Sequence, residues 1–333
     1  MHDQWKHKMF NVSPGDFEGL ALEAFQFQYL QNPVYRQYVD ALRIDVSAIR
    51  SREAIPFLPI RFFKSHIVTT GNFTPAVIFE SSGTTTTVNS RHYVKDAELY
   101  RQSFLKAFKI FNGPLQEWCI LGLLPSYLER NNSSLVFMVN EFIHQSAHPL
   151  SGFYLDDFGA LQKTLDELER TGQRTLLIGV TFALLDFAEK FPQYLHHIRV
   201  METGGMKGRR KEMIRAEVHA QLRKAFTLQA IHSEYGMTEL LSQAYSPGDG
   251  FFSCPPWMQV LLRDEEDPLT IKAFNNNKRT AISGAINIID LANIDSCCFI
   301  ATDDAGRLHA DGRFEVLGRM DNSDLRGCSL LTI

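Results

Sequence analysis

Several things are missing from this 333-residue chain, and each absence narrows its role. There is no basic excess: 34 Lys and Arg stand against 38 Asp and Glu, a formal net charge of −4, and the cations are scattered. That excludes the electrostatic footprint of a nucleic-acid binder. No apolar run reaches the roughly 18–20 residues that a bilayer-spanning helix needs. The start, Met1-His2-Asp3-Gln4-Trp5-Lys6, has no apolar core of the kind a secretory leader carries. The five cysteines (Cys119, Cys254, Cys297, Cys298, Cys328) are odd in number and lack Cys-x-x-Cys spacing. They offer neither a disulfide framework nor a zinc site, and the expected location is a reducing cytoplasm. No internal repeat or low-complexity tract stands out. What is present is an ordinary globular composition, 44% hydrophobic and 22% charged, long enough for one large or two medium domains.

One stretch draws attention first. The apolar run Pro75-Ala76-Val77-Ile78-Phe79 reads as a buried strand feeding Glu80-Ser81-Ser82-Gly83-Thr84-Thr85-Thr86-Thr87, a loop with six hydroxyl side chains and one glycine. Such a loop can turn several N–H and O–H donors onto one anion, as a phosphate nest does. It lacks the Gly-Lys-Ser/Thr ending of a P-loop, so that NTPase reading fails. Two readings stand at this point: a phosphate grip, or a polar turn whose hydroxyls bond their own backbone.

Along the chain, strands alternate with helices. Residues 14–50 read as helical with a break at Asn32-Pro33, and 54–68 as an ordered connection. Asp96, Ser133 and either Asp156 or Asp157 are candidate caps for helices. Strands are expected at 118–124, 175–180, 198–201 and 226–231, with helices through Leu184 and Phe187 and from about Arg209 to Lys224. That pattern predicts an α/β fold with a largely parallel sheet flanked by helices. Ligands bind such sheets at the carboxyl ends of the strands. The segments 80–87, 202–205 and 234–239 are expected there together. After about Ser253 short strands with few helices predict a β-rich subdomain. The expected division is 1–252 as the α/β body, 253–317 as the β-rich subdomain, and 318–333 as a hinge-like tail.

Four segments then occur in a telling order. Ser81-Ser82-Gly83-Thr84-Thr85-Thr86 resembles the phosphate loop of the adenylate-forming superfamily (acyl-CoA synthetases, adenylation domains, luciferases). Tyr235-Gly236-Met237-Thr238-Glu239 resembles its Tyr-Gly-x-Thr-Glu motif. Thr302-Asp303-Asp304 is similar to its Thr-Gly-Asp, with Asp in place of Gly at 303. Gly318-Arg319-Met320-Asp321 resembles its Gly-Arg-x-Asp hinge. Within the superfamily the chain most resembles the acyl-protein synthetase branch, the fatty-acid-activating component of bacterial luminescence reductase complexes. Leu58-Pro59-Ile60-Arg61-Phe62-Phe63-Lys64-Ser65-His66, Ser242-Gln243-Ala244-Tyr245 and Arg326-Gly327-Cys328-Ser329-Leu330 carry that resemblance.

The resemblance implies an adenylate-forming N-terminal domain without the full mobile C-terminal domain, using ATP and Mg²⁺. A carboxylic acid, expected to be a fatty acid, attacks the α-phosphorus of ATP; the acyl group then passes to an enzyme thiol for delivery to a reductase-type or carrier-protein partner. By the same resemblance Ser81, Ser82, Gly83, Thr84, Thr85 and Thr86 hold the pyrophosphate portion. Gly204 and Gly205 admit the nucleotide closely, Tyr235 stacks on adenine, and Gly236 and Met237 complete that wall. Thr238 bonds the α-phosphate, Glu239 binds Mg²⁺, Asp304 takes the ribose hydroxyls with Arg319 nearby, and Cys328 accepts the acyl group. Bottom-up chemistry fits these roles: phosphoryl-type transfer needs charge neutralisation and positioning, Mg²⁺ favours carboxylate and phosphate oxygens, and a thiolate is a strong nucleophile. Asp303 competes with Asp304, because Thr302–Gly306 also reads as a hairpin turn.

The chain also departs from the family pattern. Where relatives continue the phosphate loop with Gly-x-Pro-Lys, this chain has Val88-Asn89-Ser90-Arg91. Arg91 is one candidate for the missing charge, and the cluster Lys207, Arg209, Arg210 and Lys211 another. Two alternatives remain open beside the acyl-protein synthetase: an acid–thiol ligase passing the acyl group to coenzyme A or a carrier protein, and a nucleotide-binding subunit without catalysis.

Overall fold

Apolar runs that are buried from end to end build the central sheet. The structure, a computed structural model, describes residues 2–81, 88–125, 132–155, 157–204, 213–274 and 280–320. The chain divides into two units: 63–67 with 72–255, and 1–62 with 68–71 and 256–333. These boundaries differ from the expected division. The N-terminal helices join the β-rich segments, because the Trp5 indole donates to the Leu291 carbonyl and the Gln28 amide to those of Asn293 and Ile294.

The unit of 72–255 holds a sheet in the order Gly152–Phe153, Cys119–Leu123, Thr175–Gly179, Ile198–Glu202, His232–Tyr235, Ala244–Ser246. All neighbours are parallel except the last pair. Cys119–Leu123 and Thr175–Gly179 are buried along their whole length, as strands covered on both faces must be. The crossover helices start where side-chain oxygens meet exposed backbone donors. Asp96 accepts from Glu98 N ahead of Ala97–Asn112, Ser133 from Val136 N ahead of Ser134–Ser146, and Asp157 from Ala160 N ahead of Phe158–Thr171.

Two sequence expectations are corrected here. The helix Arg215–Phe226 runs through the start of the expected strand 226–231, and the strand is the more polar His232–Tyr235. The run 75–79 does not enter the parallel sheet. Val77–Glu80 pairs antiparallel with Arg91–Val94 as a separate hairpin.

In the other unit, Met258–Arg263, Ala281–Asp290 and Phe299–His309 form an antiparallel sheet, with Leu58–Pro59 and Phe314–Arg319 both on Phe299–His309. Helices His2–Phe10, Phe17–Gln31 and Pro33–Ala41 precede it. Asn32 breaks the second from the third, accepting from Tyr35 N while its amide donates to the Ser296 carbonyl. Phe25, Tyr35 and Phe57 pack around the Phe299 ring.

Candidate functional site

Two adjacent parallel strands, Ile198–Glu202 and His232–Tyr235, deliver the central motifs at their carboxyl ends. After the first, Thr203 N donates to the Gly179 carbonyl, and Gly204 turns with φ +74°, a conformation glycine adopts without strain. Glu202 is buried there and fully engaged. Its Oε2 accepts from Thr181 Oγ1 at 3.1 Å and Gly204 N at 2.8 Å, and its Oε1 from Arg215 Nε at 2.9 Å. Burial alone would raise this carboxyl. His219 at 3.6 Å, the Arg215 guanidinium and Ser233 outweigh it and hold the group down at about 2.

The second strand ends in Tyr235-Gly236-Met237-Thr238-Glu239. Tyr235 and Glu239 are buried, while Gly236, Met237 and Thr238 are half-buried. Tyr235 meets the Phe252 ring edge-on at 5.9 Å, and the Arg215 guanidinium lies 4.8 Å over that same ring. Glu202, Arg215, Phe252 and Tyr235 thus form a continuous chain of contacts joining the two strand ends. On the other face Glu234 is buried opposite Tyr245, and burial followed by the Glu202 charge pushes its carboxyl up to about 8. Gly236 is a close approach: a Cβ there would sit 2.4 Å from Glu234 Oε1 and 3.2 Å from Gln243 Cγ.

The hairpin meets this motif through one side chain. His92, buried on Arg91–Val94, donates from Nδ1 to the Thr238 carbonyl at 2.8 Å, and its ring lies edge-on to Phe63. At the neck of the hydroxyl loop, Ser81 N donates to the Ser90 carbonyl and Ser81 Oγ accepts from Ser90 N. For Ser81 the hydroxyl therefore serves the local turn. Arg91 pairs with Glu80 across the hairpin at 3.2 Å, both half-exposed or more, so its charge is engaged rather than held in reserve. Ser82, Gly83, Thr84, Thr85, Thr86, Gly205 and Cys328 lie outside the described residues, as does the cluster Lys207–Lys211.

Asp304 and Arg319 belong to the other unit. The hairpin-turn reading of 302–306 is corrected: all five residues lie inside the strand Phe299–His309. Alternation splits the two carboxylates. Asp303 pairs with Arg61 at 3.1 Å, whereas Asp304, largely buried, stands in register with Arg319 at 3.9 Å.

Sequence reasoning missed His92, Glu202, Arg215 and Glu234. Glu202 and Glu234 were each inside a segment singled out for other residues; a lone His or Arg elsewhere carries no local signal. His232, at the start of the second strand, is half-buried, and burial with the Arg199 charge lowers it to about 4, so it stays neutral. Among the described residues no three His, Cys, Asp or Glu side chains gather as a metal cage. A magnesium ion held through phosphate oxygens needs only one or two carboxylates, and the buried Glu239 at the motif turn suits that.

No protein-family model matches the chain. It is 22% identical over 331 residues to the long-chain-fatty-acid–luciferin-component ligase of Vibrio harveyi, covering 92% of this chain and 84% of that protein. The 2-hydroxyisobutyryl-CoA ligase in its postadenylation state superposes with a TM-score of 0.62 at 10% identity, over 94% of this chain and 70% of that one. ATP-bound MatB from Rhodopseudomonas palustris gives 0.53 at 14% identity, over 76% of this chain and 50% of that one. The fold is that of the adenylate-forming ligases, as the motif order implied, and the sequence match agrees with the fatty-acid-activating branch.

Proposed function

We propose that this chain activates a carboxylic acid, a long-chain fatty acid above all, with ATP to an acyl-adenylate, and then moves the acyl group onto Cys328 for delivery to a reductase-type partner in the cytoplasm. One observation carries the reading: the Gly204 turn and the Tyr235–Glu239 turn end adjacent parallel strands, and His92 ties the second to the hairpin of the hydroxyl loop. Three segments distant in sequence thereby converge as a nucleotide site requires. The similarity to a fatty-acid ligase over most of the chain supports the acid class.

In this reading the loop 81–86 and Gly204-Gly205 cradle the phosphates, with Tyr235, Gly236 and Met237 against adenine. Thr238 donates to the α-phosphate, and Glu239 holds Mg²⁺, which supplies charge neutralisation when bound. The Thr238 carbonyl is held by His92, which anchors the backbone that carries this hydroxyl. Cys119, Cys297 and Cys298 are buried, with thiols pushed up by burial, the first two to about 11 and about 12. They are poor nucleophiles, which supports a thiol elsewhere.

The test is a panel of carboxylic acids with ATP and Mg²⁺, reading pyrophosphate release and hydroxylamine-labile acyl label together on wild type and Cys328→Ser. The proposal expects acid-dependent pyrophosphate from both proteins and label on the wild type alone. The likeness to a CoA ligase over 94% of the chain favours one second reading, transfer to coenzyme A or a carrier protein. Undiminished transfer to added thiol in Cys328→Ser selects it. No acid-dependent pyrophosphate at all leaves only a nucleotide-binding subunit.

A further inference from the structure

We infer that Glu234, Gln243 and Tyr245 form a specificity site for the acid, one that selects a carboxylic acid bearing a hydroxyl on its chain over the plain alkyl acid. The inference deepens the acid activation proposed above and rests on it. All three residues lie in the unit of 72–255. Glu234 and Tyr245 stand opposite one another on an antiparallel pair, so their side chains share a face. Gln243 joins them at Gly236, where a Cβ would meet both Glu234 Oε1 at 2.4 Å and Gln243 Cγ at 3.2 Å. The trio therefore adjoins the Tyr235–Glu239 turn, where the acid meets the α-phosphate in the proposed reaction.

Glu234, Gln243 and Tyr245 are 6%, 2% and 3% exposed. Yet among the described residues neither Gln243 Oε1 nor the Tyr245 hydroxyl has a hydrogen-bond partner. No hydrogen bond from them reaches the Glu234 carboxyl either, whose proton is held by burial and then by the Glu202 charge. Folded proteins satisfy nearly all buried polar groups, because each one left bare carries the full cost of desolvation. Three side by side call for a partner from outside the chain.

The chemistry of the three groups narrows that partner. The carboxyl keeps its proton up to about 8, so at neutral pH it both donates and accepts, as the phenol does, while Gln243 Oε1 accepts. A hydroxyl accepts from one of the donors and donates to the bare carbonyl. An anion would find no cation in the trio, and an alkyl chain would leave all three groups unpaired. An ammonium would need the carboxyl to surrender the proton that burial retains. Beside them, Phe108 and Phe111 of the helix Ala97–Asn112 lie 6.5 and 5.4 Å from the Tyr245 ring, centroid to centroid. The same site thus offers an apolar wall for the rest of the chain.

The test measures acid-dependent pyrophosphate release, and acid binding by calorimetry, on the full chain and on Tyr245→Phe and Gln243→Met. The probes are dodecanoic acid, its isomers hydroxylated at successive carbons, and its ω-amino analogue. One hydroxylated isomer is expected to exceed the plain acid in kcat/KM by about tenfold or more, because the plain chain leaves buried polar groups unpaired. Both variants are expected to narrow that ratio, mainly by lowering KM for the plain acid, which a structural role would not do. Equal rates for plain and hydroxylated acids, the result a trapped water would give, overturn the inference. So does preference for the amino analogue, or a ratio unchanged in both variants. If neither variant folds, the wild-type ratio decides alone. Preferential binding of a hydroxylated acid without any pyrophosphate overturns acid activation and leaves the selectivity standing; pyrophosphate release without preference does the reverse.

Discussion

His92 Nδ1 donates to the carbonyl oxygen of Thr238 at 2.8 Å, joining residues 146 positions apart. The ring is buried and rests edge-on against Phe63, so the bond is sheltered from water. Replacing His92 by Ala leaves the carbonyl without this donor, at a cost of about 1–3 kcal/mol. The expected result is lower urea stability together with a drop in kcat/KM for ATP larger than any change in KM for the acid. Full adenylation activity in the variant would rule out a role for this tether.

Glu202 sets an acid-side stability limit. Its carboxyl lies at about 2, below an ordinary value of 4.5, so the stability it contributes is complete above about 4.5 and is lost as pH falls toward about 2. Glu202→Gln removes the anion facing Arg215 and His219, and breaking such a buried arrangement costs about 3–5 kcal/mol. Denaturation curves at pH 7 should shift strongly, and the slope of stability between pH 4.5 and 2 should flatten. A variant as acid-sensitive as the wild type would contradict the assignment.

Glu234 acts in the opposite sense. Its carboxyl lies at about 8, above the ordinary 4.5, so the folded state keeps a proton that the unfolded chain releases. The contribution is complete below about 4.5, declines as pH rises, and levels off above about 8. Glu234→Gln should abolish that decline and raise the melting temperature at pH 8 relative to wild type. Parallel Tm–pH profiles for the two proteins from pH 5 to 9 would refute it.

Gly236→Ala tests the close approach beneath the motif. The new methyl would stand 2.4 Å from Glu234 Oε1, so either the carboxyl or the Tyr235–Thr238 backbone must move. Nucleotide affinity should fall. The double substitution with Glu234→Ala, which clears the space, should restore part of it; failure of any rescue would place the damage elsewhere.

Much of the frame was legible because it follows local rules. The caps Asp96, Ser133 and Asp157 and the break at Asn32 act on donors within three residues, so the text of the sequence contains both partners. The strand His232–Tyr235 was not legible: polar His-Ser-Glu-Tyr gives no apolar signature, while the apolar run just before it does. Likewise Val77–Glu80 looks like any buried sheet strand until its hairpin partner is known.

The order of the motifs, and with it the expectation of the fold, is written in the sequence, because each motif is a short run whose chemistry is local. Which groups meet was decided only by the tertiary structure. Ser233 and Glu202 can be buried because His219 and Arg215, on a helix between their strands, satisfy them. Thr238 is held by a histidine from a distant hairpin. Burying a polar group is favourable only when a partner arrives, and those partners come from far along the chain.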